Sequence, residues 1–224
     1  MSRIRHAIIL AAGRGQRMMP LTDVLPKPMA PYRGTTLIAQ GIDRIRQRIP
    51  QLHVTVGYKK AMLAQHVIEH GASSVFNTEG RSNAWWIYHT LLKHLDEPVY
   101  VLTCDNVVEL DFDLLEQNYR DEGEPACMLI PVRPVAGLAG DYIFHERHVV
   151  TEVNRHKEAD IYCSGIQILN PRRLNDLTTD GGDFYAVWGQ LIAQRKLLVS
   201  SVYPKTWMTV DTVEQLRLLN GTGT

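Results

Sequence analysis

Apolar residues in this chain fall into two alternating patterns. The run HAIILAA, His6 to Ala12, is apolar on both faces and reads as a strand buried within a sheet. In TTLIAQGIDRIRQRI, Leu37, Ile38, Ile42, Ile45 and Ile49 recur at helical spacing. LHVTVGY is then a second strand, KKAMLAQHVIEH a second helix closed by Gly71, and SSVF a short third strand. SNAWWIYHTLLKHL predicts a third helix with Ser82 or Asn83 as N-cap. At 100° per residue it would place Trp85, Ile87, Tyr88, Leu91, Leu92 and Leu95 on the core face, and Trp86 opposite, with His89, Thr90 and Lys93. VYVLTCD, ending at Asp105, is a fourth strand.

Strands and helices alternating in this way predict right-handed βαβ units on a mostly parallel sheet. The second half is less regular. PACMLIPV and IYCSGIQILN read as strands and YIFHERHVVTEV as a hairpin. DFYAVWGQLIAQRK reads as a helix, LLVSSVY as a strand, and WMTVDTVEQLRLLN as an extended piece entering a helix capped by Thr212. The expected fold is α/β: a Rossmann-like, mostly parallel mixed sheet flanked by helices, with a small antiparallel insertion lobe. One domain over 1–224 is expected, with a first part about 1–130 and a second about 131–224.

Composition narrows the function. Hydrophobic residues make up 45% and charged residues 21%, and 24 Lys+Arg balance 24 Asp+Glu. A zero net charge argues against a general nucleic-acid or anionic-membrane binder. No apolar run reaches the ~20 residues of a membrane span. Three widely spaced cysteines without a CxxC pattern fit a reducing, cytoplasmic setting. His66 and His70, four apart, share a helix face, but no third ligand accompanies them.

After the first strand comes a long run without periodicity, GRGQRMMPLTDVLPKPM, extending to about Thr36. A P-loop would need Gly-Lys-Ser/Thr at its end, and a dinucleotide turn would need a third glycine where Met18 stands, with only about 2–6 residues in the turn. The remaining reading puts the charges in the loop itself. Arg14, Arg17 and Lys27 sit on backbone restrained by Pro20, Pro26, Pro28 and Pro31, so ordering the loop around a triphosphate costs little entropy.

The motif LAAGRGQRMMPLT…LPKPM resembles the signature of the nucleotidyltransferases that make activated sugars and alcohols. That resemblance implies nucleotide binding by Leu10, Ala11, Ala12, Gly13 and Gly15, with Arg17 on the leaving pyrophosphate and Lys27 at the reacting phosphates. It also implies Mg2+, which favours carboxylates and water. Asp105, at the end of its strand, is the first expected ligand. Sugar enzymes commonly carry W-x-D-x-G-T near the C-terminus. Here WMTVDT has Thr209 at the Asp position and Asp211 two residues later, on the same side of an extended segment. The phosphocholine cytidylyltransferases and their relatives share this second register, and VGYKK, Asp105-Asn106 and GDFYAVW resemble them too.

The implied reaction is attack by a phosphate monoester on the α-phosphate of a nucleoside triphosphate, with pyrophosphate leaving and no general base. Ser82 and Asn83 take the position of the family's nucleobase loop. Trp86 is either a surface aromatic or a cleft residue that receives a base or quaternary ammonium. Glu152, His156 and Lys157 lie in the variable lobe where acceptor recognition is expected. Partners are then a nucleoside triphosphate and a small phosphorylated acceptor, without nucleic acid or membrane, bound by a monomer or homodimer. The registers lean towards CTP with a small phospho-alcohol or phosphonate. A sugar-1-phosphate with UTP, GTP or dTTP is the alternative, and a non-catalytic nucleotide-binding module a further one.

Overall fold

The computed structural model describes residues 3–135, 138 and 140–221. Its strands include a nine-stranded sheet in the order Ser74–Asn77, Gln51–Val56, His6–Ala11, Val99–Thr103, Tyr162–Leu169, Cys127–Val132, Leu197–Val199, Val149–Asn154 and Tyr142–Glu146. The first three strands of that order pair in parallel, as buried apolar strands joined by helices must. Tyr162–Leu169 runs antiparallel to both of its neighbours in that order. The sheet is thus mixed and mostly parallel on its N-terminal side, as the pattern predicts.

The chain folds as two compact units that interleave in sequence. One gathers Arg5–Arg81, Leu102–Val107 and the stretch from Met208; the other gathers Ser82–Val101 and Val108–Trp207, with Ile4. In the first unit, helix Leu37–Arg46 turns Leu37, Ile38, Ile42 and Ile45 inward. Thr36 caps it, accepting a hydrogen bond from Ala39 N at 3.2 Å. Helix Lys60–Glu69 ends where Gly71 takes a φ of +87°, a left-handed conformation that glycine adopts without strain.

The long N-terminal loop is itself folded. It contains a 3-10 turn at Gln16–Met18, a helical turn at Leu21–Val24, a second 3-10 turn at Lys27–Met29 and a short ladder between Pro31–Tyr32 and Thr35–Thr36. Met18, Ala30, Tyr32 and Leu37 are buried in one cluster with Val210 and Leu216 from the C-terminal stretch. Burying that apolar surface, at about 25 cal/mol per Å2, keeps the loop in place where periodicity predicts nothing. Helix Val213–Leu219 begins as expected: Thr212 and Gln215 form a reciprocal capping box.

The second unit corrects the reading of the third helix. It spans only Trp85–His89; Thr90 leaves helical geometry at φ −107°, ψ 173°, and a 3-10 turn follows at Leu91–His94. Ala84, with no side-chain cap, precedes it, so neither Ser82 nor Asn83 is the N-cap. The break resets the phase of the wheel. Trp86 is fully buried and Trp85 half-buried, stacked on His89 at 4.9 Å between centroids, while Leu91 is 84% exposed. Two helices that the pattern does not mark also appear here, Phe112–Asp121 capped by Asp111 and Pro171–Leu177 capped by Asn170.

Candidate active site

The predicted phosphate-loop and carboxylate residues lie in the first unit. Leu10 is the next-to-last residue of the first strand and Thr103 ends Val99–Thr103, and the two are joined there by Cys104 N donating to Leu10 O at 3.1 Å. Beyond them the chain turns, so Asp105 stands where the strand carbonyls stop. Val210 N donates to Asp105 O at 2.9 Å, which brings the C-terminal stretch alongside. A cleft of about 470 Å3 opens there, lined by Leu10, Gly13, Gly15, Arg17, Lys27, Asp105 and Asp211 and also by Arg14, Gln16, Thr103 and Cys104.

At the centre of the cleft is a charge cluster. Lys27 Nζ donates to Asp105 Oδ2 at 2.8 Å and to Asp211 Oδ1 at 2.9 Å. Arg17 Nη2 reaches the same Asp211 oxygen at 2.9 Å. Thr209 Oγ1 donates to the other Asp211 oxygen at 3.4 Å, so the two positions do meet on one side. Gln215 Oε1 accepts from Asp211 N at 2.7 Å and from Thr212 N at 3.0 Å, tying the acid to the helix cap. Burial of the Lys27 amine opposes its charge, but the adjoining Asp105, with Asp211 behind it, outweighs burial and holds the amine above its usual range. Burial and the neighbouring Asp105 push the Cys104 thiol up, so it stays protonated and is a poor nucleophile.

Backbone geometry explains the glycines. Gly15 has φ +68°, and a Cβ there would lie 2.6 Å from the Cβ of Lys27. Gly15 O accepts from Thr22 Oγ1 at 3.2 Å and from Met18 N at 2.9 Å, so the loop folds over the lysine stem. Ala11 and Ala12 do not line the cleft. Ala11 is buried and its N donates to Thr55 Oγ1 at 3.1 Å; Ala12 O accepts from Tyr58 N at 3.0 Å.

The remaining predicted residues belong to the other unit. Ser82 Oγ donates to Gly182 O, and Asn83 Oδ1 accepts from Phe184 N at 3.1 Å. Trp86 has no exposed surface, so contact with an acceptor at this position is corrected: the ring is core, because the helix that presents it is only one turn long. Glu152 and Lys157 pair with each other at 3.0 Å, and the Lys157 ammonium also sits 4.1 Å from the Phe144 ring centroid. His156 N donates to Asn154 Oδ1 at 2.8 Å. His66 Nε2 meets Thr36 Oγ1 at 2.8 Å, and no group of three His, Cys, Asp or Glu side chains that could hold a metal occurs among the described residues.

Two carboxylates close to one cation nonetheless fit Mg2+, which takes one or two protein carboxylates and completes its shell with water and substrate phosphates. Pattern reading passes over Gln16, Thr103 and Cys104, which show no chemical signature in sequence. Arg14 does show one, a cation between two loop glycines.

Residues 7–161 match the MobA-like NTP transferase domain. The chain is 26% identical over 219 residues to a mannose-1-phosphate guanyltransferase of Pichia angusta, covering 91% of this chain and 60% of that protein. It is 27% identical over 129 residues to the UTP–glucose-1-phosphate uridylyltransferase AglF of Haloferax volcanii, covering 56% of this chain and 53% of that protein. The chain thus spans 60% or less of the length of these curated relatives. Among solved structures, CTP:phosphocholine cytidylyltransferase from Streptococcus pneumoniae superposes with a TM-score of 0.74 at 20% identity, over 96% of this chain and 97% of that one. The inositol-1-phosphate CTP transferase from T. maritima gives 0.76 at 14% identity, over 99% and 96%. At such identities these two structures speak for the fold, and they bear out the α/β expectation.

Proposed function

The chain belongs to the MobA-like NTP transferase domain family, and from that premise we propose that it transfers a nucleotidyl group from a nucleoside triphosphate to a phosphate monoester, releasing pyrophosphate. The observation that carries this reading is the convergence of Asp105, Asp211, Lys27 and Arg17 in one cleft beside the glycine loop.

The acceptor oxygen bonds to the α-phosphorus as the bond to the β-phosphate oxygen breaks, and pyrophosphate carries away the electron pair. A phosphate monoester with its second pKa near about 6 is already largely dianionic at neutral pH, so no base is needed. Catalysis then consists of positioning and charge neutralisation. Lys27 offsets charge at the reacting centre and Arg17 at the leaving group, while the backbone of Leu10 to Gly15 receives the nucleotide. Asp105 and Asp211 would hold Mg2+, which would supply Lewis-acid neutralisation of phosphate oxygens when bound. Ser82 and Asn83 are assigned to the base, and Glu152 and Lys157 to the acceptor. Three free thiols support a reducing, cytoplasmic setting.

CTP with a small phospho-alcohol or phosphonate is the proposed substrate pair, supported by the Asp105-Asn106 and Asp211-Thr212 registers. A sugar-1-phosphate acceptor is the second reading, favoured by the names of the curated relatives. The test incubates the protein and Mg2+ with each nucleoside triphosphate against a panel of phospho-alcohols, phosphonates and sugar-1-phosphates, and measures pyrophosphate. Release with one pairing names the substrates, and omitting Mg2+ should abolish it. No release with any pairing would favour a nucleotide-binding module.

A further inference from the structure

Asp211 stands on neither a strand nor a helix. Strand Thr206–Thr209 ends two residues before it, and helix Val213–Leu219 begins two residues after it. On one side its neighbour Val210 is fully buried in the cluster of Met18, Tyr32, Leu37 and Leu216, and Val210 N donates to Asp105 O at 2.9 Å. On the other side its neighbour is the helix cap Thr212, whose Oγ1 accepts from Gln215 N at 3.2 Å.

In a capping box the third helical residue reaches back to the N–H of the cap. Gln215 does so, its Oε1 accepting from Thr212 N at 3.0 Å. The same oxygen also accepts from Asp211 N, at 2.7 Å, the shorter of the two bonds. The cap has no use for that second bond, because Asp211 N lies one residue before it. Both partners are N–H donors, so the carboxamide must turn its oxygen towards them. The two N–H groups belong to the two peptide planes that flank the Asp211 Cα. Holding both planes against one oxygen restrains φ and ψ of Asp211, and with them the direction of its side chain. The carboxylate is thereby aimed into the cleft, where Oδ1 meets Lys27 Nζ and Arg17 Nη2, each at 2.9 Å, and Oδ2 takes the Thr209 hydroxyl at 3.4 Å. Gln215 is itself steady. It is half-buried beside Leu216, which lies in the apolar cluster that Val213 and Leu219 pack against.

We propose that Gln215 is a positioning residue for the reaction: beyond capping its helix, it orients the Asp211 carboxylate for a divalent cation. The proposal rests on the reading of Asp105 and Asp211 as the metal carboxylates. The test is titration of Mn2+ alone, with the free ion followed by electron paramagnetic resonance, into the wild type, Gln215→Leu, Gln215→Glu, Thr212→Ala and Asp211→Asn. Gln215→Leu should weaken Mn2+ binding by about tenfold or more, the scale for losing a group that orients a metal ligand. Gln215→Glu keeps an oxygen acceptor at the same place and should bind at wild-type affinity or tighter. Thr212→Ala removes the other half of the capping box and weakens the cap, yet leaves Asp211 N its partner, so it should stay near wild type. Wild-type affinity in Gln215→Leu overturns the positioning role. A loss in Thr212→Ala as large as that in Gln215→Leu overturns it too, since the cap alone would then carry the effect. So does a Gln215→Glu loss of that size, because the acceptor oxygen would then not be what matters. Asp211→Asn should lose the ion. Wild-type affinity in that variant, or a wild type that takes up no Mn2+, overturns the metal reading and the proposal with it.

Discussion

The loop from Gly13 to Thr36 and the segment from Ser82 to Leu95 find their places by different means. The loop has no period, yet its residues are held by specific partners: Lys27 by two aspartates, Arg17 by one of them, and Met18 and Tyr32 by a small apolar cluster. The second segment has a clear helical period, yet follows it for only one turn. Tyr88 Oη shares a hydrogen bond with Thr178 Oγ1 at 2.8 Å, and Thr90 Oγ1 bonds back to Trp86 O at 2.7 Å. Chemical identity was therefore the better guide in the loop, and periodicity the poorer one in the helix.

The largest effect that would break this comparison lies in the helix. Trp86→Ala should cost about 3–5 kcal/mol of stability, the range for a fully buried aromatic, and Trp85→Ala under about 1 kcal/mol. Urea denaturation measures both, and a reversed order would restore the face that periodicity assigns. In the loop, Lys27→Ala should remove about 2.7–4 kcal/mol of transition-state stabilisation, at least a hundredfold in pyrophosphate release. Circular dichroism should show a folded chain, and near-normal turnover would take Lys27 out of the chemistry.

A third effect belongs to the strands beneath the loop. His53 is buried, with Nε2 3.1 Å from His6 Nδ1 and Nδ1 2.8 Å from Ser74 Oγ. Burial, and then the charge of His6, lower its pKa to about 4 from 6.5. The unfolded chain therefore takes up the proton first. Stability from this site is fully present above pH 6.5 and is lost as pH falls towards 4, by about 3 kcal/mol. Denaturation midpoints across that window measure it, and a flat profile would place His53 in a more polar environment than the geometry gives. The smallest effect is at a cap: Thr212→Ala should cost about 1 kcal/mol by thermal melting. The alanine-capped Trp85–His89 helix has no equivalent bond to lose.

These contrasts show what was legible. The parallel strands, the helices at Leu37–Arg46 and Lys60–Glu69 and the Thr212 cap follow from residue type and local order, and the meeting of Arg17, Lys27, Asp105 and Asp211 from the resemblance of the loop motif. Gln16, Thr103 and Cys104 were not legible, because they reach the cleft by adjacency alone. The burial of Trp86 was hidden because the helical period of this segment does not signal that the helix stops at His89.

The ion pair between Lys27 and Asp211 joins residues 184 positions apart. A nascent chain carries the entire signature loop long before it carries the acid that completes the charge cluster. Until the ribosome has passed residue 211, the lysine has at most one of its two counter-charges and the apolar cluster lacks Val210 and Leu216. A chain released before that point has the motif and no finished centre. The charge cluster is accordingly a late product of synthesis.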